Sequence, residues 1–379
     1  MKKVFHLTHT DIRSDSRILK EMDVLGRAGY AVSGVGIMRD EATAIADQSV
    51  RAEVASLDIR SRKLTFVPRA LKHALIFLEF FARVLPRVIR MRPDVIHCHD
   101  TLVLPLGWLL KGITRARLVY DAHELESNRN GIAPIQGKLT LLVEKLIWRF
   151  VDTLIVVSPS IERWYHDNLG QKPSAVILNS PVFAAGSQFE GEYLRTRFSI
   201  PSDKKIFIYV GILVKGRGID LLVDAFSDPR VNAHIVFMGY GALHGELAQR
   251  ASERPNVHVH EAVPHAQVVP IVQSADVGLC MIQNVSLSSY YCLPNKLFEY
   301  CFAGIPVLAS DFPDIRAVLQ EYGIGECCEL EVGSIREAVL RMEGSQDRFE
   351  FADLRPLSWQ AQERKLLALY QRMLVGAHG

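Results

Sequence analysis

Residues Pro294 to Glu299 place, within two helical turns, groups that could grip an anion and a diol. The run Leu293-Pro294-Asn295-Lys296-Leu297-Phe298-Glu299-Tyr300 reads as a helix start. Pro294 suits the first helical position, where a missing N–H costs nothing. The N–H groups of Asn295, Lys296 and Leu297 are then unpaired donors at the positive end of the helix, and Lys296 adds a full charge. Asn295 and Glu299 are four apart and share a face. An anion cradle with a carboxylate one turn on is what a nucleoside diphosphate and its ribose diol require. An ordinary capped helix packed on a sheet fits the same residues. Gly304 ends the helix, and Ile305-Pro306-Val307-Leu308-Ala309 reads as a short buried strand.

A second anion-binding candidate is the loop Gly211-Ile212-Leu213-Val214-Lys215-Gly216-Arg217-Gly218, between a strand at 205–211 and a helix at 219–226. Glycines with Lys215 and Arg217 at a helix start can wrap phosphate, although a plain strand-to-helix turn with surface bases reads the same way. Gly239-Tyr240-Gly241 follows a strand at 235–238. In the first half, Pro93-Asp94-Val95-Ile96-His97-Cys98-His99-Asp100 and Val119-Tyr120-Asp121-Ala122-His123-Glu124 are strands that end in ionisable groups. The carboxyl ends of parallel strands are the ligand-facing edge. His123 is placed as a polar active-site group or as a structural histidine tying down its loop. His97 and His99 alternate onto one side of their strand, but nothing nearby in the sequence completes a ligand set, so no metal site is expected.

These groups need strands and helices to carry them. A strand at 4–8, a loop, a helix from Ser14 as N-cap to about Ala28, and a strand at 31–37 form a βαβ unit of a parallel sheet. No glycine fingerprint follows the first strand, which disfavours NAD. Strands near 153–158 and 175–178 continue the alternation. The stretch from Asn179 to about Glu192 reads as a domain boundary. The pattern then restarts and runs to a last helix from Pro356-Leu357-Ser358-Trp359, with Ser358 as cap and an apolar stripe that includes Leu366, Tyr370 and Leu374. Ser286 to Tyr291 reads as a polar loop.

With 379 residues the chain is too long for one ordinary core, so two domains are expected. A net charge of +2 argues against a general nucleic-acid binder. No signal sequence or membrane span is visible, and the six cysteines show neither disulfide nor metal spacing, so a reducing, cytoplasmic setting is expected. The segment 60–92 is the exception to the even charge. It carries nine basic residues against Glu79 alone, interleaved with apolar residues such as Phe66, Leu71, Phe80 and Val84. Such a helix can lie on the anionic inner face of a membrane, or can be a core helix with a solvated basic face.

Together the two βα-repeat halves, the Lys215–Arg217 glycine loop, the Gly-x-Gly at 239–241 and the helix ending in Glu299 before Ala-Gly-x-Pro-Val-x-Ala-Ser resemble GT-B glycosyltransferases of the family 4 type. Tyr209-Val210-Gly211 with Arg217-Gly218, Tyr120 to Glu124, and the Ser-Asp-Ser-Arg start resemble a branch that makes bacterial surface polysaccharides. The resemblance implies an α/β fold of GT-B architecture: two Rossmann-like domains facing a central cleft, 1–180 on the acceptor side and 190–356 binding the nucleotide sugar, with 357–379 crossing back to the first. It implies a sugar transferase with a nucleotide-diphosphate sugar, most simply a UDP-sugar, as donor and a saccharide or polyprenyl-linked acceptor, and with neither metal nor cofactor. Glu299 matches the glutamate on the ribose, and Arg217 the basic contact to the diphosphate. Gly211 and Lys215 lie in the same loop, Gly239 and Gly241 match the loop near the nucleotide, and Asn295 and Lys296 face the phosphates. His123 matches the histidine at the reacting sugar.

Two positions depart from that pattern: Ile212 stands where many relatives carry arginine, and Tyr291 where many retaining relatives carry glutamate. Lys215 or Lys296 is the expected substitute for the first. The second bears on how the donor sugar is held and on stereochemistry, for which retention is the expectation. An inverting reaction would need a base, with Asp100, Asp121 and Glu124 as candidates. A nucleotide-sugar 2-epimerase or hydrolase, and a non-catalytic nucleotide-sugar-binding protein, are the rival readings on this architecture.

Overall fold

The computed structural model describes residues 1–38, 52–65, 67–182, 191–345 and 351–375. Phe66 and most of the expected boundary stretch, residues 183–190, lie outside them. The chain divides into two compact units, Met1–Ile177 with Glu363–Gly379, and Leu178–Gln362.

The first unit is a seven-stranded sheet, β1 (Lys3–Leu7), β2 (Ala31–Ile37), β3 (Glu53–Leu57), β4 (Val95–His99), β5 (Arg117–Ala122), β6 (Thr153–Val156) and β7 (Ser174–Val176). Every neighbouring pair is parallel, in the order β3-β2-β1-β4-β5-β6-β7. The helices α1 (Ser16–Arg27), α2 (Arg69–Met91), α3 (Leu104–Thr114), α4 (Pro134–Trp148) and α5 (Pro159–Leu169) connect the strands. With helices on its faces, a parallel sheet buries its strands on both sides, which is why β4 and β6 are buried from end to end. Each aliphatic or Phe side chain so buried stabilises by about 1.5–3 kcal/mol.

The second unit repeats the scheme with helices α6 (Tyr193–Phe198), α7 (Ile219–Ala225), α8 (His244–Glu253), α9 (His265–Val272), α10 (Leu287–Tyr290), α11 (Asn295–Ala303), α12 (Pro313–Tyr322) and α13 (Val332–Gly344). Its strands are β8 (Ile206–Val210), β9 (His234–Met238), β10 (Val257–His260), β11 (Val277–Cys280), β12 (Val307–Ser310) and β13 (Gly325–Cys328). They run parallel in the order β10-β9-β8-β11-β12-β13. In both sheets the chain reverses its direction of travel beside the first strand, between β1 and β4 and between β8 and β11. Open α/β sheets bind ligands outside the carboxyl ends of the strands at such a switch.

The closing helix α14 (Trp359–Val375) is capped by Ser358, whose Oγ accepts from the Ala361 N–H at 3.3 Å. Its C-terminal part packs in the first unit: Arg27 Nη2 donates to Glu363 at 2.6 Å, and Tyr370 is fully buried.

Three local expectations change. Asp15, not Ser14, caps α1, accepting from the N–H groups of Arg17 and Ile18; Ser14 ends a 3-10 turn capped by Asp11. Both residues can cap, but the Ser14 hydroxyl donates back to the Asp11 carbonyl at 3.0 Å, and Asp15 is the residue directly before the helix. Pro294 is the N-cap of α11 and not its first residue, and its carbonyl accepts the Leu297 N–H at 3.1 Å. Residues 286–291 are not a loop throughout: Ser286 caps the short helix α10 by accepting from Ser289 N.

Candidate functional site

In the second unit, α11 is fixed to the switch point by a residue that the sequence did not single out. Tyr300 receives the Val210 N–H at 2.9 Å and donates to the Leu279 carbonyl at 3.0 Å, linking β8 to β11. Its ring fills the space above Gly278, where an added Cβ would lie 2.3 Å away. This anchor determines where the first turn of α11 lies. Lys296 is buried and its Nζ sits 3.4 Å above the centre of the Tyr209 ring. A Cβ on Gly211, the residue directly after β8, would lie 3.6 Å from that nitrogen. Lys296 Nζ makes no hydrogen bond among the described residues. Burying an ammonium without hydrogen bonds is unfavourable, and the face of the Tyr209 ring 3.4 Å away offsets part of that cost.

The two glycine loops meet backbone to backbone. A Cβ on Gly239 would lie 1.9 Å from the Gly211 carbonyl oxygen, and one on Gly241 would lie 2.3 Å from that of Leu213. Gly239 and Gly241 therefore serve first to let the loops after β8 and β9 touch. Lys215 is exposed and Arg217 half-buried in the first of these loops. Arg217 and Lys296 converge: burial pushes the thiols of Cys280 and Cys292 up, to about 11 and about 12, and the charges of these same two cations act against it at both. Glu299, one turn after Lys296, is buried, with His265 Nδ1 of α9 at 3.6 Å from its Oε1. Asn295 is exposed although it shares the helix with buried Glu299.

In the first unit, the carboxyl ends of β1, β4 and β5 bring His6, His97, His99 and Asp121 together, all fully buried. The three rings stack at 4.4 to 5.2 Å. Asp121 is the hub. Its Oδ2 is 3.1 Å from His99 Nδ1, 3.5 Å from His97 Nε2 and 3.2 Å from His123 Nε2, and its Oδ1 receives Arg17 Nη2 at 3.1 Å. Arg17 also pairs with Glu21 at 3.2 Å. His97 Nδ1 lies 2.8 Å from the Tyr370 hydroxyl of α14. Burial opposes charge on Asp121, but Arg17 and His123 outweigh it and hold the carboxyl well below the usual range. Burial keeps the other histidines neutral. His123 differs: burial opposes its charge too, yet the carboxylates of Asp100 and Asp121 raise its pKa to about 10. It is therefore an imidazolium at neutral pH and the one member of this cluster that reaches the surface.

Asp100 stands at φ 67, ψ 163, a left-handed backbone that costs a non-glycine residue about 1–3 kcal/mol and tends to mark functional sites. Its Oδ1 accepts the His123 N–H at 3.3 Å. Glu124 is exposed, whereas Glu126, which the sequence did not flag, is buried, and burial followed by repulsion from Asp100 pushes its pKa to about 8. The ligand partners that the local sequence denied His97 and His99 come instead from α1 and β5: Glu21 and Asp121 offer atoms within 4.8 Å of theirs. Arg17 already lies against both carboxylates and supplies the countercharge.

Residues 19–180 match the glycosyl transferase 4-like domain, and residues 204–342 match glycosyl transferases group 1. D-inositol 3-phosphate glycosyltransferase of Corynebacterium diphtheriae is 26% identical over 246 residues, 58% of this chain and 55% of that protein. Phosphatidyl-myo-inositol mannosyltransferase of Mycobacterium tuberculosis is 24% identical over 265 residues, 65% of this chain and 62% of that protein. The chain thus spans 55–62% of the length of these curated relatives. Sucrose-phosphate synthase from Thermosynechococcus elongatus shares the fold over 100% of both chains at TM-score 0.76 and 17% identity. Anabaena HepE, solved in complex with UDP-glucose, shares it over 99% of both at TM-score 0.71 and 15% identity.

Proposed function

We propose a reaction from the premise that this chain belongs to the glycosyltransferases of GT-B architecture, its halves matching the glycosyl transferase 4-like and group 1 domains. The chain transfers a sugar from a nucleotide-diphosphate donor, a UDP-sugar by analogy with HepE, to a saccharide or lipid-linked acceptor in bacterial surface-glycan synthesis. The donor lies on the second unit and the acceptor on the first. The observation that carries this reading is Lys296: a buried ammonium with no hydrogen bond among the described residues, beside the Gly211 turn and one helical turn before a buried carboxylate. A diphosphate supplies the missing anion, and Glu299 accepts from the ribose hydroxyls.

Bond cleavage at the anomeric carbon leaves charge on the departing diphosphate. Lys296, Arg217 and the N–H groups at the start of α11 are aimed where that charge develops, an arrangement that lowers the barrier without requiring a metal ion. His123, held protonated by Asp100 and Asp121, donates to the sugar and does not take a proton from the acceptor. An imidazolium in place of a base on that face fits retention of configuration, and a β-linked product from an α-linked donor would overturn that part. Tyr291 in place of an acid leaves the sugar hydroxyls to other groups.

A thermal-shift screen against UDP-, GDP- and dTDP-sugars tests the donor reading, since a ligand that binds only the folded state raises apparent stability with log saturation. UDP-sugars are expected to raise Tm, and Glu299→Ala is expected to abolish that shift while leaving the unliganded Tm close to wild type. No shift with any donor would sink the proposal. Sugar conversion in the absence of any acceptor would favour the epimerase or hydrolase reading.

A further inference from the structure

Among the described residues no helix is long and apolar enough to cross a membrane. Two adjacent helices of the first unit nevertheless turn apolar stripes to solvent. On α4, Ile135, Leu139, Leu142 and Leu146 recur at helical spacing and are 81, 59, 50 and 64% exposed. A surface helix ordinarily turns such a stripe inward. Here the inward face instead carries Gly137, Glu144, Ile147 and Trp148, and Glu144 receives the hydroxyls of Tyr120, Tyr165 and Thr101 at 2.7, 2.8 and 2.9 Å. Beside α4, α3 exposes Leu109 and Ile113, and Leu102 is exposed just before it.

The exposed charges carried by these two helices and their ends have one sign. Lys138 and Lys145 of α4, Arg149 directly after it and Arg115 directly after α3 are exposed. The only acid in either helix is the buried Glu144. The amphipathic α2 that follows residue 60 divides its apolar residues, burying Phe80, Val84 and Val88 in the core and exposing Leu71, Leu78 and Ile89.

We propose that the α3–α4 face is a membrane-docking surface. Its leucines and isoleucines enter the boundary between headgroups and acyl chains, while Lys138, Lys145 and Arg149 meet the phosphates of anionic lipid. The apolar stripe with a basic rim is the composition that holds a helix in a bilayer interface. Charge decides the occupant. A second copy of the chain set helix pair to helix pair against this face would bring the same cations together, and neither helix exposes a carboxylate to receive them. An anionic bilayer offers both apolar depth and negative charge. The inference deepens the reading of an acceptor at a membrane and rests on that part of it alone, with no dependence on donor chemistry.

The test is co-sedimentation of the full chain with vesicles of phosphatidylcholine, with and without phosphatidylglycerol. Wild type is expected to pellet with the mixed vesicles. Leu139→Glu/Leu146→Glu is expected to weaken that binding on the order of a hundredfold. Both positions are exposed, so the variant should keep its fold, and an unchanged UDP-sugar thermal shift on the same samples checks this. Lys138→Glu/Lys145→Glu is expected to remove the preference for phosphatidylglycerol. Wild type that ignores both vesicles, or a Leu139→Glu/Leu146→Glu variant that binds like wild type, overturns the proposal. So does a wild-type dimer, seen by sedimentation velocity, that these leucine changes dissociate without any vesicle binding. If vesicles bind and no donor shift appears, the donor reading fails and the docking surface stands; the converse result removes only the docking surface.

Discussion

Lys296→Met is expected to abolish donor binding while leaving the unliganded protein at least as stable as wild type. The two effects have opposite signs because Lys296 Nζ is buried over the Tyr209 ring without a hydrogen bond among the described residues. Removing a buried, poorly compensated charge relieves a desolvation cost that a cation–π contact, worth about 0.5–2 kcal/mol, offsets only in part. Methionine keeps the length and apolar body that lie against Tyr209. With a diphosphate bound, the same ammonium becomes one half of a desolvated ion pair. Removing one partner of such a pair costs about 2–5 kcal/mol, or roughly 30- to several-thousandfold in affinity. Titration calorimetry with UDP, together with urea unfolding of the free protein, separates the two effects. A variant that loses stability and still binds UDP as wild type does would make Lys296 a structural residue.

That prediction comes from a stretch whose chemistry was legible in sequence because its parts are close together. Lys296, Glu299 and the helix start lie within two turns, and helical geometry places them with no knowledge of the rest of the chain. Gly304 and the buried run after it likewise follow from local rules, as do the buried parallel strands. The anchor of the same helix was not legible. Tyr300 looks like any core tyrosine until β8 and β11 are known to be neighbours. The edge strands β3 and β13 were missed because Glu53-Val54-Ala55-Ser56-Leu57 and Gly325-Glu326-Cys327-Cys328 are short and lack a clean alternation. The outward stripe of α4 was invisible for a different reason. Periodicity shows that a helix has an apolar face but not which way it points, and here the sheet takes Gly137 and the hydroxyl-bonded Glu144 instead.

The surroundings of His123 show the limit most clearly. Its charge depends on Asp100 and on Asp121, and Asp121 is itself held ionised by Arg17, 104 positions earlier. His97, which shares that carboxylate, is oriented by Tyr370, 273 positions later. No local spacing links these residues. Sequence position could offer Asp121 as a base; its full burial and its four polar partners, His97, His99, His123 and Arg17, instead fit a group that positions His123 and favours its protonated form.

His123→Gln is accordingly expected to lower kcat by about 10²–10⁴, the usual range for loss of a positioned proton donor, with little change in the UDP thermal shift. The pH dependence distinguishes a donor from a base. A base with an ordinary histidine pKa would gain activity as pH rises through about 6.5. An imidazolium with its pKa near 10 gives a rate that is flat through neutrality and falls on the alkaline side. Stability follows the same group. Its folded-state value lies above the unfolded 6.5, so its stabilising contribution is fully present below about 6.5 and is lost as pH rises through about 10. The wild-type protein should lose stability across that window, and His123→Gln should flatten this part of the slope. Asp121→Asn tests the origin of the charge: with one of the two carboxylates gone, the alkaline limb should move toward neutrality while His123 is still present. If Asp121→Asn leaves that limb in place, Asp100 alone holds the proton on His123, and the buried cluster orders the strand ends without tuning the reaction.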